Sequence, residues 1–412
     1  MKVAAQSFAK INLGLRIGAR RPDGFHELRT LYQTIALHDT IRVSVARGSG
    51  IEIRCDDPRV PCDETNTCHK IVERAVQAMK VQRRVTIEIE KRLPVQGGLG
   101  GASGNAVAAL LAFELALKKR LSDAERLRIA SEVGSDVPLF LIGGTVLGVG
   151  RGEEVYPLPD LPAMPCVIAL PAIAVSTPKA FAEWDQQCGA GALAREAERS
   201  SSQNQARGTT GKGTAFSRAE LARKLDYGTT GSRALPSDRK EKQVPRLGNH
   251  SQANDSASLG MTEVLTEEVG GESKLTSPTQ SDRMLEFSRE ISAWLGAVPG
   301  SSGRRRSGVS ARGGGRAENL LLDLVRTGIE NDFERVVFPQ YPELGEVKRV
   351  LEQAGAQYAS LSGSGSAIYG LFASRDAATA AATKLTRRGT HALVTSTLTR
   401  RQYWKKLLAV SS

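Results

Sequence analysis

Five glycines stand within eight residues, Gly97 to Gly104, between a segment patterned as a strand and one composed as a helix. Upstream, Val85-Thr-Ile-Glu-Ile-Glu90 alternates apolar and polar side chains, the period of a half-buried strand. Downstream, Ala106 to Leu117 is rich in alanine and leucine, which favour helix. The connection reads Lys91-Arg-Leu-Pro94-Val-Gln-Gly97-Gly-Leu-Gly-Gly-Ala-Ser-Gly-Asn105, with Ser103 and Asn105 placed as helix N-cap candidates. A strand that turns through glycines into a helix start suits an anion. Glycine lets a ligand approach the backbone, and the first turn of a helix has unpaired amides and a favourable dipole. The competing reading is a turn with no ligand at all.

Neither common nucleotide fingerprint fits this loop. It lacks the Gly-x-x-x-x-Gly-Lys-Ser/Thr order, and Gly208-Thr-Thr-Gly-Lys-Gly-Thr214, the nearest imitation, lies in polar low-complexity sequence. The spacing Gly98-x-Gly100-x-x-Ser103 lacks the third glycine of a dinucleotide site. At 412 residues the chain is long enough for two domains. No apolar run reaches membrane-spanning length, and the amino terminus lacks the apolar core of a signal peptide. The five cysteines form no Cys-x-x-Cys pair, and an odd number suits a reducing cytosol. His69 adjoins Cys68 without the spacing of a zinc knuckle. The net charge of +12 suits an anionic small molecule. Without a basic stripe interleaved with aromatics, nucleic acid is not the expected partner.

Taken in order, Val3 to Ile17 reads as a strand in which Lys10 and Asn12 share the face opposite Ile11, Leu13 and Leu15; parity alone turns both polar residues to water. Pro22-Asp-Gly marks a turn before Phe25 and His26. Leu28–Leu37 and Asp39–Val45 read as two further strands, and Asn66 to Met79 as an amphipathic helix. Ser122 and Glu125 are spaced as a capping box for a helix that breaks at Gly134-Ser-Asp136-Val-Pro138. An Asp in such a turn is ordinarily a cap. Phe140 to Val149 then reads as strand with a glycine hinge, Cys166 to Pro171 as a buried strand, and Lys179 to Trp184 as helix. From 187 to 316 the texture turns to Gly, Ser, Thr, Asn and Gln, too long for an ordinary loop, with a helix expected at Met284–Leu295 and arginine clusters near its end. Order is expected to resume with helices over Ala317–Leu324, Asn331–Phe338 and Pro342–Ala354. A glycine-rich strand-turn-strand follows over Tyr358–Phe372, then a helix at Ala377–Arg388 and a strand from His391.

Three of these segments together resemble the signatures of the GHMP kinase superfamily: the Lys10/Asn12 strand, Pro94-x-x-x-Gly-Leu-Gly-Gly, and Leu361-Ser-Gly-Ser-Gly-Ser366. Ala9-Lys-Ile-Asn-Leu-Gly-Leu15, Arg21-Pro-Asp-Gly-Phe-His-Glu-Leu28 and Gly134-Ser-Asp-Val-Pro-Leu-Phe-Leu141 closely resemble the branch acting on a cytidylyl-linked methylerythritol. Gly143 to Glu153, Val175-Ser-Thr-Pro178 and Asn331-Asp-Phe-Glu334 also fit it. The likeness covers 1–186 and 317–400 and skips the insertion.

The resemblance implies an α/β (α+β) two-domain fold: a ribosomal-protein-S5-like ATP-binding domain over 1–155, a ferredoxin-like domain from 156–186 and 317–412, and a disordered or weakly structured insertion at 187–316. It implies ATP-dependent phosphorylation of the 2-hydroxyl of 4-diphosphocytidyl-2-C-methyl-D-erythritol, by a cytoplasmic monomer or homodimer without membrane or nucleic-acid partners. Asp136 would accept or orient the hydroxyl proton and Lys10 would hold Asp136 ionised. Pro94, Val95, Gln96, Gly97, Gly98, Leu99, Gly100, Gly101, Ala102, Ser103 and Gly104 would cradle the phosphates, with Asn66 near adenine and Mg2+ carried by ATP close to Ser103. Asn12, Phe25, His26 and Thr177 would meet the acceptor, His26 and Phe25 at its cytosine. Two departures stand out: Ser103-Gly104 replaces a Ser-Ser pair, and Phe25 replaces a tyrosine. The alternatives are a homoserine, mevalonate or sugar kinase of the same superfamily, or a kinase-derived nucleic-acid-binding scaffold.

Overall fold

The computed structural model describes residues 2–95, 97–187 and 329–408, all within one compact unit. Gln96, nearly all of the expected insertion, Cys188 and the helices expected at Met284–Leu295 and Ala317–Leu324 lie outside the described residues.

Two long antiparallel strands form the frame. β1 (Lys2–Arg20) and β2 (His26–Ala46) pair along nearly their whole length. The chain expected to form two strands between Leu28 and Val45 is therefore one strand, because β1 supplies a continuous partner across residue 38. Register shifts at Phe8/Ala9 and Asn12/Gly14 bend the ribbon as bulges do. One half of β2 also pairs with β4 (Arg84–Glu90), which takes β3 (Ile51–Cys55) as a parallel neighbour; the other half pairs with β5 (Thr145–Val149), followed by β6 (Glu154–Pro157). A second, four-stranded antiparallel sheet has the order β10-β7-β9-β8, built from β7 (Pro165–Leu170), β8 (Tyr358–Leu361), β9 (Ile368–Leu371) and β10 (His391–Ser396).

Helices cover the outer face of each sheet. α1 (Thr67–Met79), α2 (Gly101–Leu117) and α3 (Asp123–Val133) pack on the first. A helix over 177–187 (α4), α5 (Glu334–Gln340), α6 (Pro342–Gln353) and α7 (Arg375–Arg387) pack on the second. α2 is apolar nearly all round and is buried without a break from Gly104 to Glu114. A third apolar layer joins the sheets: Ala9, Ile11, Leu13, Leu31 and Ile35 meet Cys166, Ile168, Tyr369 and Leu371.

Several local expectations change. The α2 N-cap is Gly100, at φ 69°, with no side-chain cap; Ser103 lies inside the first turn and Asn105 bonds elsewhere. Ser122 does cap α3 by accepting from the Glu125 amide, but Glu125 turns to Arg128 and the reciprocal half of the box is absent. Phe140 belongs to a 3-10 turn, Pro138–Leu141, and the strand starts only at Thr145. A last helix, α8 (Arg400–Leu407), has no counterpart in the sequence reading. Its Tyr403 donates to the Phe140 carbonyl at 2.6 Å, so α8 is anchored on the turn that follows Asp136.

Candidate active site

The two glycine-rich segments, more than 250 residues apart in the chain, dock on one another. Ala367 N donates to Gly97 O at 3.2 Å and Ser362 Oγ to Gly98 O at 2.9 Å. A Cβ at Gly98 would stand 2.0 Å from Ser362 O, so glycine is required there by contact as well as by φ 75°. Asn331 holds the later turn from beneath, its amide donating to Leu361 O and Gly363 O. The edge of β1 meets the loop directly, Lys10 N donating to Leu99 O at 2.9 Å.

Gly98 forms part of the wall of two cavities. One, about 390 Å3, is lined by Pro94, Val95, Gly97–Ser103, Asn66 and Lys91. The amides of Gly101, Ala102 and Ser103 belong to the first turn of α2, where helix geometry leaves donors without intrahelical partners. Position 104 is different: a Cβ there would come within 2.7 Å of Phe8 O and 2.9 Å of Ser7 Oγ. Ser7 occupies the space a second serine would need, which leaves Ser103 as the loop's own hydroxyl on the cavity wall, beside Thr65 and Thr67. Asn66, expected near adenine, lines this cavity while capping α1, accepting from Cys68 N at 2.8 Å and donating to Pro61 O at 2.6 Å.

The other cavity, about 680 Å3, holds Lys10, Asn12, Phe25, His26, Asp136 and Thr177 together. Lys10 and Asn12 do not face water: both are buried, because the glycine loop at Gly100, the late glycine turn at Gly363 and the Asp136 turn cover that face of β1. Lys10 Nζ lies 3.2 Å from Asp136 Oδ2 and donates to Asn12 Oδ1 at 2.7 Å. Asn12 donates in turn to Thr30 Oγ1, and Thr30 to Gly14 O, which fixes the amide's orientation. Asp136 is thus an ion-pair partner in the turn after α3 and not a helix cap.

Sequence reasoning missed Tyr32, whose hydroxyl donates to Asp136 Oδ1 at 2.9 Å. Burial, with the Asp136 charge and hydrogen bond, pushes that phenol well above its usual range, so it stays a donor. Its parity on β2 was readable, but its partner lies 104 residues away. At the far end of the cavity, His26 is buried, with Nε2 2.7 Å from Asp185 Oδ1, and its ring stacks on Phe181 at 4.8 Å and 9°. Phe25 is half-exposed, with the Arg151 guanidinium 5.0 Å from its ring centre. Thr177 shares a 2.6 Å hydrogen bond with Ser364 of the late turn. Phe181 and Asp185 carried no signal in the sequence beyond ordinary helix composition, and Ser364, though inside the Leu361–Ser366 signature, had no role assigned to it.

Known proteins match this arrangement. The signature of the GHMP kinases N terminal domain matches residues 66–144, and that of the GHMP kinases C terminal domain matches 316–391. A 4-diphosphocytidyl-2-C-methyl-D-erythritol kinase from Solibacter usitatus is 31% identical over 379 residues, spanning 90% of this chain and 82% of its own. The kinase of the same name from Acaryochloris marina is 40% identical over 180 residues, 43% of this chain and 58% of that one. Among solved structures, a 4-(cytidine 5'-diphospho)-2C-methyl-D-erythritol kinase superposes with a TM-score of 0.54 at 24% identity, covering 96% of this chain and 98% of that one. Homoserine kinase from Cytophaga hutchinsonii also gives 0.54, at 17% identity, over 97% and 95% of the two chains. Such distant superpositions establish the fold and do not choose a substrate. The extended match to the Solibacter relative goes further: the chain belongs to the 4-diphosphocytidyl-2-C-methyl-D-erythritol kinase family of the GHMP kinases.

Proposed function

We propose that this protein transfers the γ-phosphoryl group of ATP to the 2-hydroxyl of 4-diphosphocytidyl-2-C-methyl-D-erythritol, a step towards isoprenoid precursors. The observation that carries the reading is the Lys10–Asp136 pair at 3.2 Å, on a cavity that shares Gly98 with the glycine-loop cavity. Phosphoryl transfer depends mainly on positioning and electrostatics, so a carboxylate, an ammonium and a set of fixed amides suffice. Asp136 takes or orients the hydroxyl proton; Lys10 pairs with it at 3.2 Å and faces the transferring group. Asn12 and Tyr32 hold these two side chains in place.

The nucleotide's phosphates sit over residues 97–103 with the base toward Asn66. Magnesium, when bound with ATP, neutralises phosphate charge. Among the described residues the wall of this cavity offers the hydroxyls of Ser103, Thr65 and Thr67 and no carboxylate, a donor set that fits an ion held mostly by phosphate and water. The acceptor's cytosine lies at the His26 end. If Nε2 donates to Asp185, Nδ1 is left as an acceptor able to take a hydrogen from the cytosine amine. Phe25 and Phe181 supply flat faces for the ring. Such a base-reading end is superfluous for homoserine, mevalonate or a sugar. The intact ion pair argues against a scaffold. Reliance on ATP suits an enzyme of the cytoplasm.

The test is ATP consumption with a panel containing the cytidylyl methylerythritol, homoserine and mevalonate. Turnover is expected with the first alone. Asp136→Asn should abolish transfer with nucleotide affinity nearly unchanged, and Lys10→Met should slow it by orders of magnitude. Preference for another acceptor, or most activity retained by Asp136→Asn, would overturn the assignment.

A further inference from the structure

Asp39 lines neither cavity and is fully buried in β2, behind the glycine loop. A carboxylate removed from water is tolerated when donors and a counter-charge surround it. Here four donors converge. Oδ1 accepts the amides of Arg92 and Leu93, both at 2.7 Å; Oδ2 accepts Lys91 Nζ at 2.7 Å and Asn105 Nδ2 at 3.0 Å. All four belong to the two flanks of one loop: residues 91–93 lead into it from β4, and Asn105 lies in α2, into which it runs. Ser7 is the β1 partner opposite Asp39 in the register, and its hydroxyl stands against Gly104. The β1–β2 pair therefore grips the helix at two successive residues.

The same carboxylate fixes a charge. The Lys91 ammonium lies 3.6 Å from where a Cβ of Gly101 would stand, beside the first residue of α2, and its side chain is 9% exposed. Without Asp39 that ammonium would have no reason to hold this position in the interior.

We propose that Asp39 is a positioning residue for the phosphate loop: it staples the incoming strand to the outgoing helix and so sets the spread and aim of the amides between them. The inference rests on the reading of residues 94–104 as the nucleotide site. It requires a change at Asp39 to alter nucleotide binding without any contact between Asp39 and the nucleotide, and to leave the acceptor end of the other cavity untouched.

The experiment measures binding directly, by titration of the full-length protein with Mg-ATP and separately with the cytidylyl acceptor, and follows amide exchange of Gly97–Gly101 in the ligand-free protein. Asp39→Asn keeps the size of the side chain while placing an amide against the ammonium and the Asn105 amide. Its ATP dissociation constant is expected to rise at least tenfold, with the acceptor's within threefold and the loop amides exchanging faster. Should Asp39→Asn not fold, Asn105→Ala cuts the helix-side tie alone, and the loop amides of that variant should likewise exchange faster than those of wild type. Unchanged loop exchange, unchanged ATP affinity, or equal loss of both ligands overturns the proposal. A wild-type protein that binds no ATP would instead overturn the assignment of the loop, a distinct outcome.

Discussion

Replacing Tyr32 with phenylalanine removes one atom from the site and separates positioning from packing. The ring is seated against two glycines: a Cβ at Gly148 would come within 2.6 Å of the ring, and one at Gly152 within 2.6 Å of the hydroxyl. Phenylalanine keeps the ring in its slot. What is lost is the 2.9 Å hydrogen bond to Asp136 Oδ1. A hydrogen bond to a charged group contributes about 1.5–3 kcal/mol. The Asp136 side chain is 33% exposed, so water can replace part of it, which argues for the lower end of that range. With Oδ2 still held by Lys10 but Oδ1 released, the carboxylate is free to turn about its own bond. At roughly 1.4 kcal/mol per decade, kcat should fall about tenfold. Initial rates with both substrates varied should show the loss in kcat, with either KM within twofold and the melting temperature little changed. A kcat within twofold of wild type, or a loss carried by KM with kcat unchanged, would refute the reasoning.

Three further outcomes can be checked. His26→Ala should weaken the cytidylyl acceptor far more than ATP, by about tenfold or more from one buried hydrogen-bonding group; equal changes in the two KM values would contradict the assignment of His26 to the base. Gly98→Ala should destabilise the chain by at least about 1–2 kcal/mol from the left-handed backbone alone. Its Cβ also meets Ser362 O, so activity should fall with the melting temperature; a variant that melts and turns over as wild type would show that the two glycine segments need not touch. Glu330 is held below the ordinary glutamate value: burial pushes it up, but hydrogen bonds from Arg335 and Arg16 outweigh that. A carboxylate held low binds its proton more weakly in the folded than in the unfolded chain. Its stabilisation is therefore full above the unfolded value and is lost as pH falls through the folded one. Urea midpoints measured downward from pH 5 should fall less steeply for Glu330→Gln than for wild type, and parallel curves would remove Glu330 from the acid response.

Much of the site was legible where its chemistry is local. The strand, glycine loop and helix between Val85 and Leu117 are neighbours in sequence, and alternation, glycine spacing and alanine content report directly on backbone preference. Even there, the cap fell on Gly100 instead of Ser103, because a left-handed residue at the helix entrance favours glycine and the Lys10 and Phe140 side chains leave little room for a Cβ. The single strand β2 and the anchoring of α8 were not legible, since both depend on partners remote in the chain.

Residue types and their order thus determined, without any structure, that a glycine loop, a lysine, an aspartate and a histidine were present and which superfamily they resembled. Only the tertiary structure decided that Lys10 and Asn12 are buried instead of wet, that Tyr32 grips Asp136, and that Asp185 turns His26. Asp39 belongs to the same group, for nothing in its own neighbourhood marks it as the tie between two ends of a loop more than fifty residues further on. The physical reason is common to all of them. Periodicity records which face of an element is apolar, whereas a polar side chain's role is set by the donors and charges that folding brings within about 3 Å of it.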